Sequence, residues 1–246
     1  MQTDYIKDQV KDYWSNRAEG FETQRIHEYD SKKKEQWLAE FRKYLPQGRS
    51  LRILDAGTGT GFFACILAEE GHETIGIDIS PEMIRHAEHT ASVLGTKTEF
   101  AVMDAEEPDF PAESFDAIVA RNLTWTLPDL AGTYKRWLDL LKPGGVLINF
   151  DADYAKAIDD EDGQRLPENH AHKLVSPALQ TENEFITMEV GAYQKPRPGW
   201  DVQLLAEAGY EHIQIDFGIY KRIYSEADEF YNPTPIFTIA AFKEQK

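Results

Sequence analysis

One cysteine, Cys65, occurs in the 246 residues, so no internal disulfide can form. It lies within an apolar helical stretch and reads as a core thiol rather than a nucleophile. No apolar run approaches the roughly 18 residues needed to cross a bilayer. The first residues, Met1 to Tyr5, lack the basic and apolar pattern of an export signal. The expectation is a soluble, cytoplasmic protein with no membrane partner. Basic residues are few: 26 Lys and Arg against 43 Asp and Glu give a formal charge of −17. A field of that sign repels DNA and RNA, so no nucleic-acid partner is expected. The one basic run, Lys32-Lys33-Lys34, reads as a solvated helix face. There is no internal repeat, and no metal site is expected.

What the chain does have is alternation. Short apolar runs at residues 51–56, 73–78, 98–102, 115–120 and 146–150 are separated by helical patterns. A helix capped by Ser80 with Pro81 at its first position is one, and a helix bearing Leu130, Tyr134, Trp137, Leu138 and Leu141 on one face is another. Alternating strands and helices imply an α/β fold, a doubly wound parallel sheet covered on both faces. From residue 151 to 198 the pattern fails: the stretch is polar, proline-broken and too long for an ordinary connection. It reads as an inserted cap. Regularity returns with a helix at 200–208 and strands at 212–217 and 236–242, which have no helix between them and read as an antiparallel hairpin at the sheet edge. Before the sheet, aromatic residues among charges suggest helical packing and a lid around Trp14 and Phe21. The division is therefore 1–48 N-terminal helical lid, 49–151 ligand-binding core, 152–198 inserted cap and 199–246 the rest of the core.

The chemistry centres on Asp55-Ala56-Gly57-Thr58-Gly59-Thr60-Gly61. An apolar strand ends in a carboxylate, alternating glycines follow, and an apolar helix starts at once. Glycines let backbone N–H groups approach a ligand, and the helix start adds unpaired donors. A dinucleotide site wants G-x-G-x-x-G and an apolar residue before it. Here the third glycine is one place early. Asp55 would also face a pyrophosphate, and each such pair of like charges costs about 4 kcal/mol at an effective dielectric of about 20. A ligand with an ammonium group removes that conflict.

With these residues the chain resembles the class I S-adenosylmethionine-dependent methyltransferases, over about residues 35 to 151, and within them the small-molecule branch. The resemblance implies a Rossmann-like, mostly parallel seven-stranded sheet with an antiparallel last strand, and S-adenosyl-L-methionine as cofactor. It implies that Asp55, Gly57, Thr58 and Gly59 form the turn against the methionine end. Asp78, with Ile79 and Met83, matches the acid that accepts the ribose hydroxyls. Asp104 and Ala105 match the place beside the adenine. Arg121 and Asn122 match the segment flanking the methionine end and the methyl group. Leu141-Lys142-Pro143-Gly144-Gly145 resembles the turn before the family's fifth strand.

The expected partner is a small-molecule methyl acceptor, held by Trp14, Phe21, Trp125, Tyr154, Arg197 and Trp200, with Arg197 positioned to fork onto an acceptor carboxylate. No single catalytic residue is assigned. His170, His172, Asp151, Asp153 and Tyr154 are candidate bases where the nucleophile must lose a proton. A non-catalytic cofactor-binding scaffold and an NAD-dependent oxidoreductase are the competing readings. Monomer and homodimer both remain open.

Overall fold

The computed structural model describes residues 2–154, 176–190, 195–226 and 228–245. Two helices, α1 (Gln2–Tyr29) and α2 (Lys33–Phe41), precede the alternating core. That core runs β1 (Arg52–Ala56), α3 (Phe62–Glu69), β2 (Glu73–Asp78), α4 (Pro81–Leu94), β3 (Thr98–Val102), β4 (Phe115–Arg121), α5 (Leu130–Leu140) and β5 (Leu141–Ala152). After it come α6 (Pro177–Glu189), α7 (Gly199–Ala208), β6 (Glu211–Asp216), α8 (Ile219–Ile223) and β7 (Ile236–Phe242).

The seven strands form one sheet in the order β3-β2-β1-β4-β5-β7-β6. β1 is parallel to β2 on one side and to β4 on the other, with Asp55 level with Gly76 and Val119. β7 is antiparallel to both β5 and β6. Because the chain steps from β3 across β1 to β4, the strand order reverses beside β1. A crevice opens at the carboxyl ends of β1 and β4, where ligands of such sheets bind.

The central strands are buried on both faces, which is why they read as unbroken apolar runs. Ile53, Ala117, Val119, Val146 and Ile148 point toward α2, α3 and α8, together with Trp37, Phe41, Phe63 and Phe150. Leu54, Ile118, Ala120 and Leu147 point the other way, toward α5 and α7, with Tyr134 and Trp137. Cys65 is fully buried in α3, and burial pushes its thiol up to about 11. It behaves as core.

The structure departs from the sequence reading in two places. The last two strands are not a simple edge hairpin: α8 lies between them, and β7 inserts between β5 and β6 so that β6 takes the edge. Five residues are too few for a helical period to show, yet Ile219 and Ile223 of α8 are both fully buried. The second departure is Lys33. It is almost wholly buried, with Nζ 3.0 Å from Asp228 and bonded to the Ile223 carbonyl, so the basic run is not one solvated face. The N-terminal helix expected from the sequence is present as α1, a single helix of 28 residues. Few of its contacts are aliphatic, though Ile6, Val10 and Tyr13 do pack on Ile186 and Val190 near α6. Polar ties complete the docking: Lys7 to Asp104, Ser15 to Ser80, and Glu22 to His86 and His89.

Candidate active site

The crevice is a cleft walled by the ends of β1, β2 and β4, the segment after β3, and α1. At its floor Gly57 and Gly59 have φ of 65° and 55°, in the left-handed region. A Cβ on Gly57 would press on the end of the Leu123 side chain at 2.7 Å, and the left-handed backbone itself favours glycine there. Asp55 Oδ2 accepts from Thr58 Oγ1 at 2.6 Å and from the Ala64 N–H at 3.1 Å. The carboxylate thus fastens the turn to the first turn of α3. Burial raises the Asp55 carboxyl to about 7, against the pull of those two hydrogen bonds.

Asp78 ends β2. Its Oδ2 accepts from Gly59 N–H at 3.0 Å and its Oδ1 from Ser80 N–H at 2.9 Å, yet burial still lifts it to about 6. Met83 stands one turn into α4, whose start is set by Ser80 Oγ accepting from the Met83 N–H at 3.1 Å. Asp104, just past β3, accepts from Glu106 N–H through Oδ1 and from Lys7 Nζ at 2.6 Å through Oδ2. Lys7 also reaches Glu106, so α1 is tied to this end of the cleft.

At the other end Arg121 closes β4. Its guanidinium lies 4.4 Å from the Trp37 ring centroid and donates to Glu28 at 3.0 and 3.2 Å. Glu28 is completely buried and also accepts from Trp37 Nε1 at 2.8 Å. Burial would raise its carboxyl, but Arg121 and Arg25 outweigh burial and hold it at about 2. Asn122 follows with φ of 54°, a left-handed backbone at a non-glycine residue. Its Oδ1 accepts from the Tyr154 hydroxyl at 2.8 Å and its carbonyl from Trp125 Nε1 at 3.0 Å.

The cleft brings together Asp55, Gly57, Thr58, Gly59, Asp78, Ile79, Met83, Asp104, Ala105, Arg121 and Asn122. Of the residues read as an acceptor pocket, Trp14 and Phe21 line it, edge to face with centroids 5.3 Å apart. The others stand elsewhere. Trp125 and Tyr154 pack on each other, centroids 5.1 Å apart, and brace Asn122. Trp200 is half-buried between α6, α7 and the core. Arg197 is a correction to the sequence reading: it is buried and fully engaged. Its guanidinium donates to Asp201 at 2.6 and 2.9 Å, to Asp151 at 3.2 Å and to Thr124 Oγ1 at 2.6 Å. It holds β5 to α7 and is not placed to clamp an acceptor.

Among the candidate bases, Asp151 is bound in that same network with no exposure. Tyr154 is held well above the ordinary phenol range by burial. His170 and His172 lie outside the described residues.

Residues the sequence reading missed also line the cleft: Lys7, Val10, Arg25, Phe62, Phe63, Leu123, Thr126, Leu127 and Pro128. The α1 members carry a signal. Lys7, Val10, Trp14, Phe21 and Arg25, with Glu28 one turn further on, recur at helical spacing and form one face of a helix that mixes cations, rings and one acid.

A protein-family model described as "Methyltransferase domain" matches residues 53–145. Aklanonic acid methyltransferase DauC of Streptomyces sp. (strain C5) is 39% identical over 118 residues, covering 42% of this chain and 53% of that protein. Residues 53–145 thus carry a methyltransferase domain, in the fold of the class I S-adenosylmethionine-dependent methyltransferases. A ubiquinone biosynthesis O-methyltransferase of Xanthomonas axonopodis pv. citri (strain 306) is 32% identical over 100 residues, 39% of this chain and 41% of the relative. The chain spans about half the length, or less, of these curated relatives. Phosphoethanolamine N-methyltransferase 2 of Haemonchus contortus, solved with S-adenosyl-L-methionine, shares the methyltransferase fold with TM-score 0.58 at 20% identity, covering 85% of this chain and 52% of that one.

Proposed function

We propose that this chain transfers the methyl group of S-adenosylmethionine to a small organic acceptor, in line with the departing sulfur. The observation that carries the reading is the convergence on one cleft of carboxylates from three strand ends, Asp55, Asp78 and Asp104, around a glycine turn. A pyrophosphate on that turn would meet the Asp55 carboxylate, whereas a phosphate-free donor with an ammonium and a ribose finds Asp55 for the one and Asp78 for the other. This disfavours the nicotinamide reading.

The residues fit the donor. Asp55 and the Gly57 turn would hold the methionine end, Asp78 the ribose, and Asp104 with Ala105 the adenine edge. The bound donor supplies a methyl group on a positively charged sulfur. The chain's own contribution is orientation: the locked Asn122 and the packed Leu123 fix one wall, and holding the reacting centres in line is worth about 7 to 11 kcal/mol. The Trp14 and Phe21 rings offer an organic acceptor a wall on α1 and exclude water from the transfer. Relatives whose names specify aklanonic acid and a ubiquinone-pathway O-methylation support an organic acceptor. The net charge of −17 supports a partner other than nucleic acid.

The test is transfer of a labelled methyl group from S-adenosylmethionine in the presence of separate pools of small metabolites, RNA and unfolded protein. Label is expected in the metabolite pool. Label confined to RNA or protein contradicts the acceptor class, and no transfer to any pool favours a binding scaffold.

A further inference from the structure

A chain of hydrogen bonds runs from the segment before β7 to the wall of the cleft, and each bond has a fixed direction. It starts at a backbone group that can only donate. Thr234 N–H donates to Asn232 Oδ1 at 3.0 Å, which leaves Nδ2 as the other end of the Asn232 amide. That nitrogen donates to the Tyr154 hydroxyl oxygen at 3.0 Å. Burial holds the Tyr154 phenol far above its ordinary range, so the oxygen keeps its proton. The proton goes to Asn122 Oδ1, 2.8 Å away. Two more groups of Asn122 are engaged: its N–H donates to the Phe150 carbonyl at 2.8 Å, and its carbonyl accepts from Trp125 Nε1 at 3.0 Å. What remains for a ligand is Nδ2, on a residue that lines the cleft.

The amide is held from the side of the cleft away from the glycine turn. Tyr154 follows β5 and Asn232 precedes β7, and both strands lie across β4 from β1. The side chain that closes on Gly57 is that of the next residue, Leu123. Asn122 takes its left-handed backbone, φ 54°, more readily than most side chains would, and the three bonds hold it there.

A fixed donor discriminates between nucleophiles. An ionised oxygen has several lone pairs, so one accepts from Nδ2 while another attacks. A neutral amine has a single lone pair, and a hydrogen bond from Nδ2 occupies the pair that must attack. The N–H groups of an amine also want the amide oxygen, which Tyr154 has taken. Sulfur accepts only weakly.

We propose that Asn122 Nδ2 holds an ionised oxygen of the acceptor, of the phenolate or enolate class, and that Tyr154 is the positioning residue that fixes the direction of the amide. The proposal rests on the methyltransferase reading and narrows it to an oxygen nucleophile. In the transfer the oxygen gives a lone pair to the methyl carbon, and the carbon–sulfur bond breaks with its electrons left on sulfur. The negative charge of the oxygen and the positive charge of the sulfur cancel, so no co-reactant is required.

Calorimetry on the whole chain saturated with S-adenosylhomocysteine tests this in wild type, Tyr154→Phe and Asn122→Gly. The probes are 4-nitrophenolate and 4-nitroaniline at pH 8, alike except that one presents an acceptor oxygen and the other an N–H donor. Tyr154→Phe keeps the ring against Trp125 and frees the amide to turn, whereas Asn122→Gly keeps the left-handed backbone and removes the amide. In each variant the ratio of phenolate to aniline affinity is expected to fall about tenfold or more, with S-adenosylhomocysteine affinity within about threefold of wild type. The other charges of the cleft are common to all these proteins, so the change in ratio reports the amide. Loss of packing alone lowers both probes together. An unchanged ratio in the folded variants overturns the proposal, as does a wild type that binds S-adenosylhomocysteine but neither probe at millimolar concentration. A loss of about tenfold or more in S-adenosylhomocysteine affinity in Asn122→Gly, with the ratio held, assigns the amide to the donor and overturns it too. Failure of the wild type to bind S-adenosylhomocysteine defeats the methyltransferase reading instead, and the two probes titrated alone then decide the direction of the amide.

Discussion

Replacing Arg197 by alanine is expected to lower stability by about 3 to 5 kcal/mol, or more, and the melting temperature by about 10 °C or more. The side chain is enclosed, and two buried carboxylates, Asp151 and Asp201, depend on it. Burial already pushes the Asp151 carboxyl upward, and the charge of Arg197 is what opposes it. Removing the guanidinium leaves both acids desolvated and uncompensated beside Tyr134, whose hydroxyl donates to Asp201 at 2.8 Å. Domains have only about 5 to 15 kcal/mol to lose, so the variant should unfold near growth temperature. Thermal unfolding checks this. A melting temperature within about 2 °C of wild type, with activity alone lost, would return Arg197 to the acceptor-binding role its position in the sequence suggested.

Donor affinity should fall about a hundredfold between pH 8 and pH 5. In the ligand-free protein the Asp55 carboxyl is raised to about 7 and that of Asp78 to about 6, burial being the main cause in each. A raised carboxyl means that the folded state binds the proton more tightly than the unfolded chain. The ionised Asp55 therefore penalises folding by about 4 kcal/mol above pH 7, and the penalty vanishes below the ordinary value of 3.8. A cationic ammonium beside Asp55 favours the ionised form, so binding must expel the proton at low pH. With a carboxyl at about 7, only about one molecule in a hundred is ready at pH 5, and Asp78 deepens the loss. The affinity curve should flatten above about pH 7, with protons released on binding below it. Titrations in buffers of different ionisation enthalpy measure both. Affinity independent of pH from 5 to 8 would mean that Asp55 does not serve the ammonium.

The sheet and the donor cleft were legible in the sequence because two strong local signals coincide there. Buried parallel strands such as Ala117 to Ala120 must be continuously apolar, and a carboxylate at a strand end followed by glycines has few structural uses. The acceptor side was less legible, for physical reasons. Arg197 looked like a ligand-binding cation because its partners, Asp151 and the Thr124 hydroxyl, are distant in sequence and only the fold brings them together. Trp125 and Tyr154 looked like pocket walls, but they act behind Asn122. Arg25 and Glu28 escaped notice because α1 is docked by ion pairs and rings, which leave no aliphatic stripe to follow.

The most direct test of the donor assignment is calorimetric titration of the wild-type chain at pH 8 with S-adenosylhomocysteine and, separately, with NADH. The cleft built on Asp55, Asp78 and Asp104 should bind S-adenosylhomocysteine with one-to-one stoichiometry and give no saturable heat with NADH. Saturable NADH binding without binding of S-adenosylhomocysteine would contradict it.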